Sequence, residues 1–166
     1  MSKGPREKGV DQSLVAGLSR SERVDFIISR RLPVLFRKLN VLAFRLSGGR
    51  LGGAKRGIPI GLLTVPGRRS GELRTVPLMY MRRGEIAYVV ASNGGSSRPP
   101  AWYLNLRAAD HADWRTREAR RRVVAEEVEG EARDLVWPEL VRLNPLWAAY
   151  QDCTDRQTVV VSLRAA

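Results

Sequence analysis

Ile58-Pro59-Ile60-Gly61-Leu62-Leu63-Thr64-Val65, then Pro66-Gly67-Arg68-Arg69-Ser70-Gly71, then Thr75 to Met81, is the stretch on which the fold turns. A run rich in branched residues meets a Pro/Gly turn and is followed by a second run of strand texture, which predicts a hairpin. Downstream, Glu85 to Ser92 carries Ile86, Tyr88, Val89 and Val90 and reads as another strand. The loop Asn93 to Pro100 is rich in Gly, Ser and Pro, and Pro100 suits the first turn of a helix through Trp102, Leu104, Leu106 and Ala109. Short strands are expected around Ala112–Thr116 and Arg120–Glu126, and helices over Gly130–Leu143 and from Pro145 through Tyr150. Gln157 to Leu163, with Val159-Val160-Val161, makes a last core strand. Many short strands with few helices predict a mainly β (α+β) small barrel rather than a doubly wound sheet.

Upstream, Ser47-Gly48-Gly49-Arg50-Leu51-Gly52-Gly53 is a flexible junction. Gly48 and Gly53 bracket four residues, but Ala54 and Lys55 stand where a phosphate loop needs Lys and Ser/Thr, so that motif is rejected. Before the junction, Val24, Ile28, Leu32, Leu35, Leu39, Leu42 and Leu46 recur at helical spacing, interrupted by Pro33. Two readings stay open for this basic amphipathic run. Docking on the domain's own sheet is the preferred one, and peripheral contact with an anionic membrane is the other. Residues 1–22 are polar and without periodicity. The expected organisation is a loose tail over 1–22, a helical segment and junction over 23–53, and a barrel over 54–166. No secretory signal is evident, so a cytoplasmic protein is expected, with the inner face of the plasma membrane as a peripheral location.

The chain of 166 residues is 43% hydrophobic, enough to bury a core and to exclude wholesale disorder. One cysteine, Cys153, excludes an internal disulfide and any Cys-cluster zinc site, and one histidine, His111, argues against a His-based metal site or a Ser-His-Asp triad. No metal is expected. The net charge of +12 is uneven, since residues 1–56 carry 13 basic and 4 acidic side chains and the remainder carries 16 and 13. The nearly balanced body, without a groove-reading helix, argues against a nucleic-acid partner.

Four segments carry candidate chemistry. Arg68, Arg69, Ser70, Gly71 and Arg74 offer three guanidinium forks, a hydroxyl and a glycine backbone, suited to a phosphate or a carboxylate chain. A solvated hairpin tip is the plain alternative. Ala91-Ser92-Asn93-Gly94-Gly95 leaves a strand with exposed amides, and reads either as a ligand contact or as a simple exit loop. Trp102 and Tyr103 serve equally as core packing or as a ring-stacking wall. Trp147 and Tyr150, three residues apart on a helix, can share one wall of a pocket.

Together these segments are specific. Leu63 to Gly71 followed by Arg74-Thr75-Val76-Pro77-Leu78 resembles the opening signature of the deazaflavin-dependent nitroreductase family. Val90-Ala91-Ser92-Asn93-Gly94-Gly95, Pro100-Ala101-Trp102-Tyr103-Leu104-Asn105-Leu106, and Asn144-Pro145 through Tyr150-Gln151 with Thr154-Asp155-Arg156 resemble its later blocks, over roughly residues 55–164. The resemblance implies a split β-barrel and the reduced deazaflavin coenzyme F420, with FMN as the alternative ligand of such barrels. It implies an oxidoreductase that passes hydride to a small hydrophobic acceptor, quinone-like or nitroaromatic; a non-catalytic coenzyme carrier is the alternative of another class. By the resemblance, Arg68, Arg69, Ser70, Arg74, Thr75, Val76 and Pro77 hold the phosphate and oligoglutamate tail. Val90, Ala91, Ser92, Asn93, Ala101, Trp102, Tyr103, Leu104 and Asn105 frame the phosphate and ring, and Trp147 closes the ring pocket. Met79, Asn144, Trp147 and Tyr150 fall on the substrate side, with the Tyr150 or Ser92 hydroxyl as proton donor. Asn93 stands where related sequences often carry Lys, and Met79, Asn144 and Trp147 replace tyrosines of the best-known nitroreducing relatives, while Tyr150 matches. Related barrels often dimerise, so a homodimer is one assembly open to the chain, but nothing in the sequence locates an interface or fixes the oligomeric state.

Overall fold

Two strands, β2 (Ile58–Pro66) and β3 (Leu73–Arg83), form the expected hairpin, in the register Leu63↔Val76 and Thr64↔Thr75. This computed structural model describes residues 33–166. The expected tail over 1–22, and the part of the amphipathic run that holds Val24, Ile28 and Leu32, lie outside the described residues. The hairpin turn closes when the Gly71 N–H donates to Gly67 O (2.7 Å) and the Gly67 N–H to Glu72 O (2.8 Å). Gly71 sits at φ +70°, a backbone region that side chains with a Cβ rarely adopt.

From β3 the chain turns at Gly84 into β4 (Ile86–Ala91), which pairs with β7 (Val159–Ala165). Strand β7 pairs with β6 (Arg120–Glu127), β6 with β5 (Ala112–Arg115), and β5 returns to β2. All of these pairings are antiparallel, so the six strands close into a barrel. Closure removes the free edges that an open sheet would expose. A two-residue strand, β1 (Ala54–Lys55), adds to β2 and was not legible in the sequence.

The barrel interior is filled by Leu63, Val65, Tyr80, Val89, Trp114 and Leu163, among others. Tyr80 meets Trp114 edge-on at 5.3 Å. Gly61 is required there, since a Cβ on it would lie 2.3 Å from the Trp114 ring. Strand β4 shows why its sequence is a nearly unbroken apolar run. Ala87, Val89 and Ala91 face the interior, and Tyr88 and Val90 face a second apolar cluster on the outside. That cluster is roofed by helix α3 (Gly130–Leu143) and helix α4 (Leu146–Asp152) through Val136, Leu140, Leu146, Trp147 and Tyr150. A strand covered on both faces loses the polar alternation of a half-exposed one.

Helix α1 (Pro33–Ser47) lies against β3, and helix α2 (Ala101–Leu106) follows the long loop. Pro100 precedes α2 in extended conformation, and its carbonyl accepts from the Tyr103 and Leu104 N–H groups. The expected docking face of α1 needs correction. Leu39, Leu42 and Leu46 are all more than half exposed, whereas Phe44 is fully buried. Among the described side chains of the helix, Phe44 rather than Leu39, Leu42 or Leu46 is the anchor. Among the described residues no helix is long and apolar enough to cross a membrane.

Candidate functional site

The cationic turn is tied to helix α2 by one buried amide. Arg68 donates from its backbone N–H (3.3 Å) and from Nη1 (3.0 Å) to Asn105 Oδ1, and Asn105 is buried. Arg68, Arg69 and Ser70 remain exposed, and Arg74 pairs with Glu72. At Gly67 a Cβ would come within 3.0 Å of Ser70 Oγ, so glycine keeps the turn open at its neck.

Beside the turn lies a cavity of about 500 Å³. Arg74, Thr75 and Val76 of β3 form one wall, and Ala101, Trp102 and Asn105 of α2 form another. Thus six of the residues expected to bind the coenzyme line one cavity. Helix α1 supplies the third wall through Val41, Leu42 and Arg45, a contribution the sequence reading missed. Arg45 Nη2 donates to Thr75 Oγ1 at 3.0 Å, and Thr75 Oγ1 lies 2.9 Å from Thr64 Oγ1. Arg45 reads in sequence as one more charge on the polar side of a helix; only its distance to Thr75 reveals it.

Where β4 ends, the expected residues separate. Ala91 faces the barrel interior, Val90 faces the outer cluster, and Ser92 is buried. Asn93 takes a left-handed conformation (φ +51°) and donates from Nδ2 to Arg98 O at 2.9 Å. Arg156 fixes this exit from below, donating to Ala91 O (3.2 Å), Ser92 O (2.6 Å) and Ser96 O (2.8 Å). Burial lowers the pKa of its guanidinium, which remains cationic at neutral pH. Leu104 packs against the interior cluster, and Tyr103 belongs to it. The Tyr103 hydroxyl donates to Glu127 Oε1 at 2.6 Å. Burial and this carboxylate together push the phenol up to about 12.

Met79, Asn144, Trp147 and Tyr150 form a second group that does not line the 500 Å³ cavity. Asn144, Trp147 and Tyr150 are buried, with Trp147 and Tyr150 in the cluster beneath α3 and α4. Asn144 Nδ2 lies 3.6 Å from Met79 Sδ, so two of the three positions that depart from tyrosine touch each other. The two groups share one strand, β3, whose residues line the cavity from both faces at its Arg74–Val76 end. Val76 and Tyr80 point into the barrel, so Thr75, Pro77 and Met79 point outward by strand alternation. At strand rise, Thr75 and Met79 stand about 13 Å apart along β3.

The donor set suits an anionic, flat coenzyme. Forked guanidinium donors and hydroxyls stand at one end of β3, and Trp102 and Val76 give the cavity an apolar wall. A closed antiparallel barrel with this site is a split-barrel oxidoreductase of the deazaflavin-using type. A family model described as F420H(2)-dependent quinone reductase matches residues 35–164, and the chain belongs to that family. The F420H(2)-dependent quinone reductase of Mycobacterium tuberculosis strain H37Rv is 32% identical over 141 residues, covering 82% of this chain and 94% of its own. A solved F420-H2 dependent reductase superposes with a TM-score of 0.59 at 36% identity, covering 64% of this chain and 94% of that one. Another solved structure, described as a domain-swapped dimer, gives 0.60 at 31% identity, covering 76% and 97%. The family's coenzyme is F420 and its members are oxidoreductases, as the sequence motifs imply.

Proposed function

We propose that this chain binds reduced F420 in the cavity between β3 and α2 and reduces a quinone. The observation that carries this reading is the 500 Å³ cavity in which Arg74, Thr75 and Val76 of β3 face Ala101, Trp102 and Asn105 of α2. When bound and reduced, the coenzyme supplies a hydride. Arg68, Arg69, Ser70 and Arg74 hold its phosphate and tail, and the Thr75–Pro77 backbone runs beside it. Ala101, Trp102 and Asn105, with Val90 to Asn93, set the depth of the ring, while Tyr103 and Leu104 anchor α2 behind it. Trp147 covers the ring and excludes water, which strengthens the electrostatics of the transfer. A quinone that accepts a hydride also needs one proton, and the Tyr150 hydroxyl supplies it, with the Ser92 hydroxyl as the alternative donor. Met79 and Asn144 shape the acceptor side.

Fluorescence-monitored titration with F420 and with FMN tests the coenzyme. F420 is expected to bind at micromolar levels or below, and binding of FMN alone overturns the reading. Oxidation of reduced F420 on adding menadione then separates enzyme from carrier. Tyr150→Phe is expected to slow turnover while leaving coenzyme affinity unchanged, and unchanged turnover removes Tyr150 as the donor. The finer readings of partner and place are a homodimer in the cytoplasm whose α1 leucines touch anionic lipid. Light scattering and flotation with anionic vesicles check these two points.

A further inference from the structure

A second cavity, of about 400 Å³, adjoins the first and has no part in that reading. The two share Arg45, Leu73 and Thr75, so the Arg45–Thr75 hydrogen bond stands at the passage between them. The second cavity lies over the outer face of β2 and β5 and is lined by Arg45, Arg115 and Arg120 against one carboxylate, Asp113. Arg115 is the register partner of Arg120 across β5 and β6. Directly opposed like charges on adjacent strands are destabilising, with Cβ atoms about 5 Å apart. Asp113 pairs with Arg120 at 2.8 Å. Among the described residues neither Arg45 nor Arg115 has a carboxylate within ion-pair distance. The cavity therefore holds a surplus of guanidinium donors that the described residues do not neutralise.

We infer that the oligoglutamate tail of the coenzyme passes Arg45 into this second cavity, where Arg115 and Arg120 bind its distal carboxylates. The inference rests on F420 being the coenzyme. Arg68 and Arg74 are already engaged by Asn105 and Glu72, and they serve the phosphate and the start of the tail. Farther along, forked donors spaced across two strands match a chain of carboxylates better than a single compact anion. The hydroxyls of Thr64 and Thr75 line the cavity beside Leu62 and accept or donate as the chain requires.

The test measures dissociation constants by coenzyme fluorescence on the full chain, with three ligands. These are F420 carrying a long oligoglutamate tail, F420 carrying one glutamate, and the tail-less, phosphate-less deazaflavin precursor. In the wild type the long-tailed form is expected to bind about three- to tenfold more tightly than the one-glutamate form, the range of one or two exposed ion pairs. That advantage is expected to vanish in Arg115→Gln/Arg120→Gln, with the one-glutamate constant unchanged, and to fade in the wild type at high salt. Equal affinity for both tail lengths in the wild type overturns the tail site, whatever the variants do. A double variant that weakens both forms alike also overturns it. If the wild type binds no form of F420, the coenzyme reading fails and takes the tail site with it. If F420 binds irrespective of tail length, the tail site alone fails.

Discussion

The two ends of β3 are built in opposite ways. Around Thr75 the groups are charged and mostly exposed, held by a few hydrogen bonds such as Arg68 to Asn105 and Arg45 to Thr75. Around Met79 they are buried, and Trp147 and Tyr150 are packed into the cluster that fixes α3 and α4 to the barrel. The first end can change its charges without disturbing the core. The second cannot change shape without loosening the fold. On the proposed function, recognition of the anionic part of the coenzyme is separable from stability, and the covering of its ring is not.

Trp147→Ala is the harshest way to probe that contrast. It removes a fully packed indole from the outer cluster and is expected to destabilise the protein by about 3–5 kcal/mol, read from the urea midpoint. A loss below about 1 kcal/mol would mean that Trp147 is a pocket wall rather than a structural member. Arg156→Met comes next, because it removes the donor that holds the Ala91, Ser92 and Ser96 carbonyls. Leaving buried acceptors unpaired is expected to cost about 2–4 kcal/mol. Arg156 joins the loop that leads into α2 to the last strand, so this variant is expected to lower both thermal stability and F420 affinity. At the exposed end, Arg68→Gln/Arg74→Gln is expected to weaken F420 binding about 10- to 100-fold, since charge-assisted bonds are the strong ones. Its melting temperature should stay close to that of the wild type, and a large fall there would erase the contrast.

The barrel was legible because its signals are local. Branched runs, the Gly67–Gly71 turn and the Gly84 turn each state their own conformation, whereas closure rests on the long-range pairings of β4 with β7 and of β5 with β2. The cationic end was legible as residue types, since guanidinium groups next to glycine suggest an anion whatever the fold. Helix α1 was not, because periodicity locates an apolar stripe without saying what covers it. In this chain Phe44 docks, while Leu39, Leu42 and Leu46 stay exposed. Arg45 and Arg156 were also hidden, since their partners lie 30 residues away or more and long-range hydrogen bonds leave no spacing pattern. Trp147 and Tyr150 pose a different difficulty. An apolar helix face over a strand looks the same in sequence whether it roofs a core or a ligand. Only the family motif gives a reason to read a ligand there.

Tyr103 stands between the two designs, on the helix that lines the cavity yet inside the barrel core. Tyr103→Phe keeps the packing and removes the hydrogen bond to Glu127, and is expected to cost about 1–2 kcal/mol at neutral pH. The pH dependence is more informative than that cost. The folded phenol is held up at about 12, against 10.0 ordinarily, so the folded state keeps its proton where the unfolded chain has lost it. Stability from this source is complete below about pH 10 and declines as pH rises toward about 12, because there the unfolded state binds fewer protons. Phenylalanine has no proton to lose. The wild type's advantage over Tyr103→Phe is therefore expected to shrink across that window in denaturant titrations, and coenzyme affinity at neutral pH is expected to change less than in the arginine double variant. A constant difference from about pH 9 to 12 would show that Glu127 does not hold the phenol proton. The helix would then rest on packing alone, like the buried end of β3.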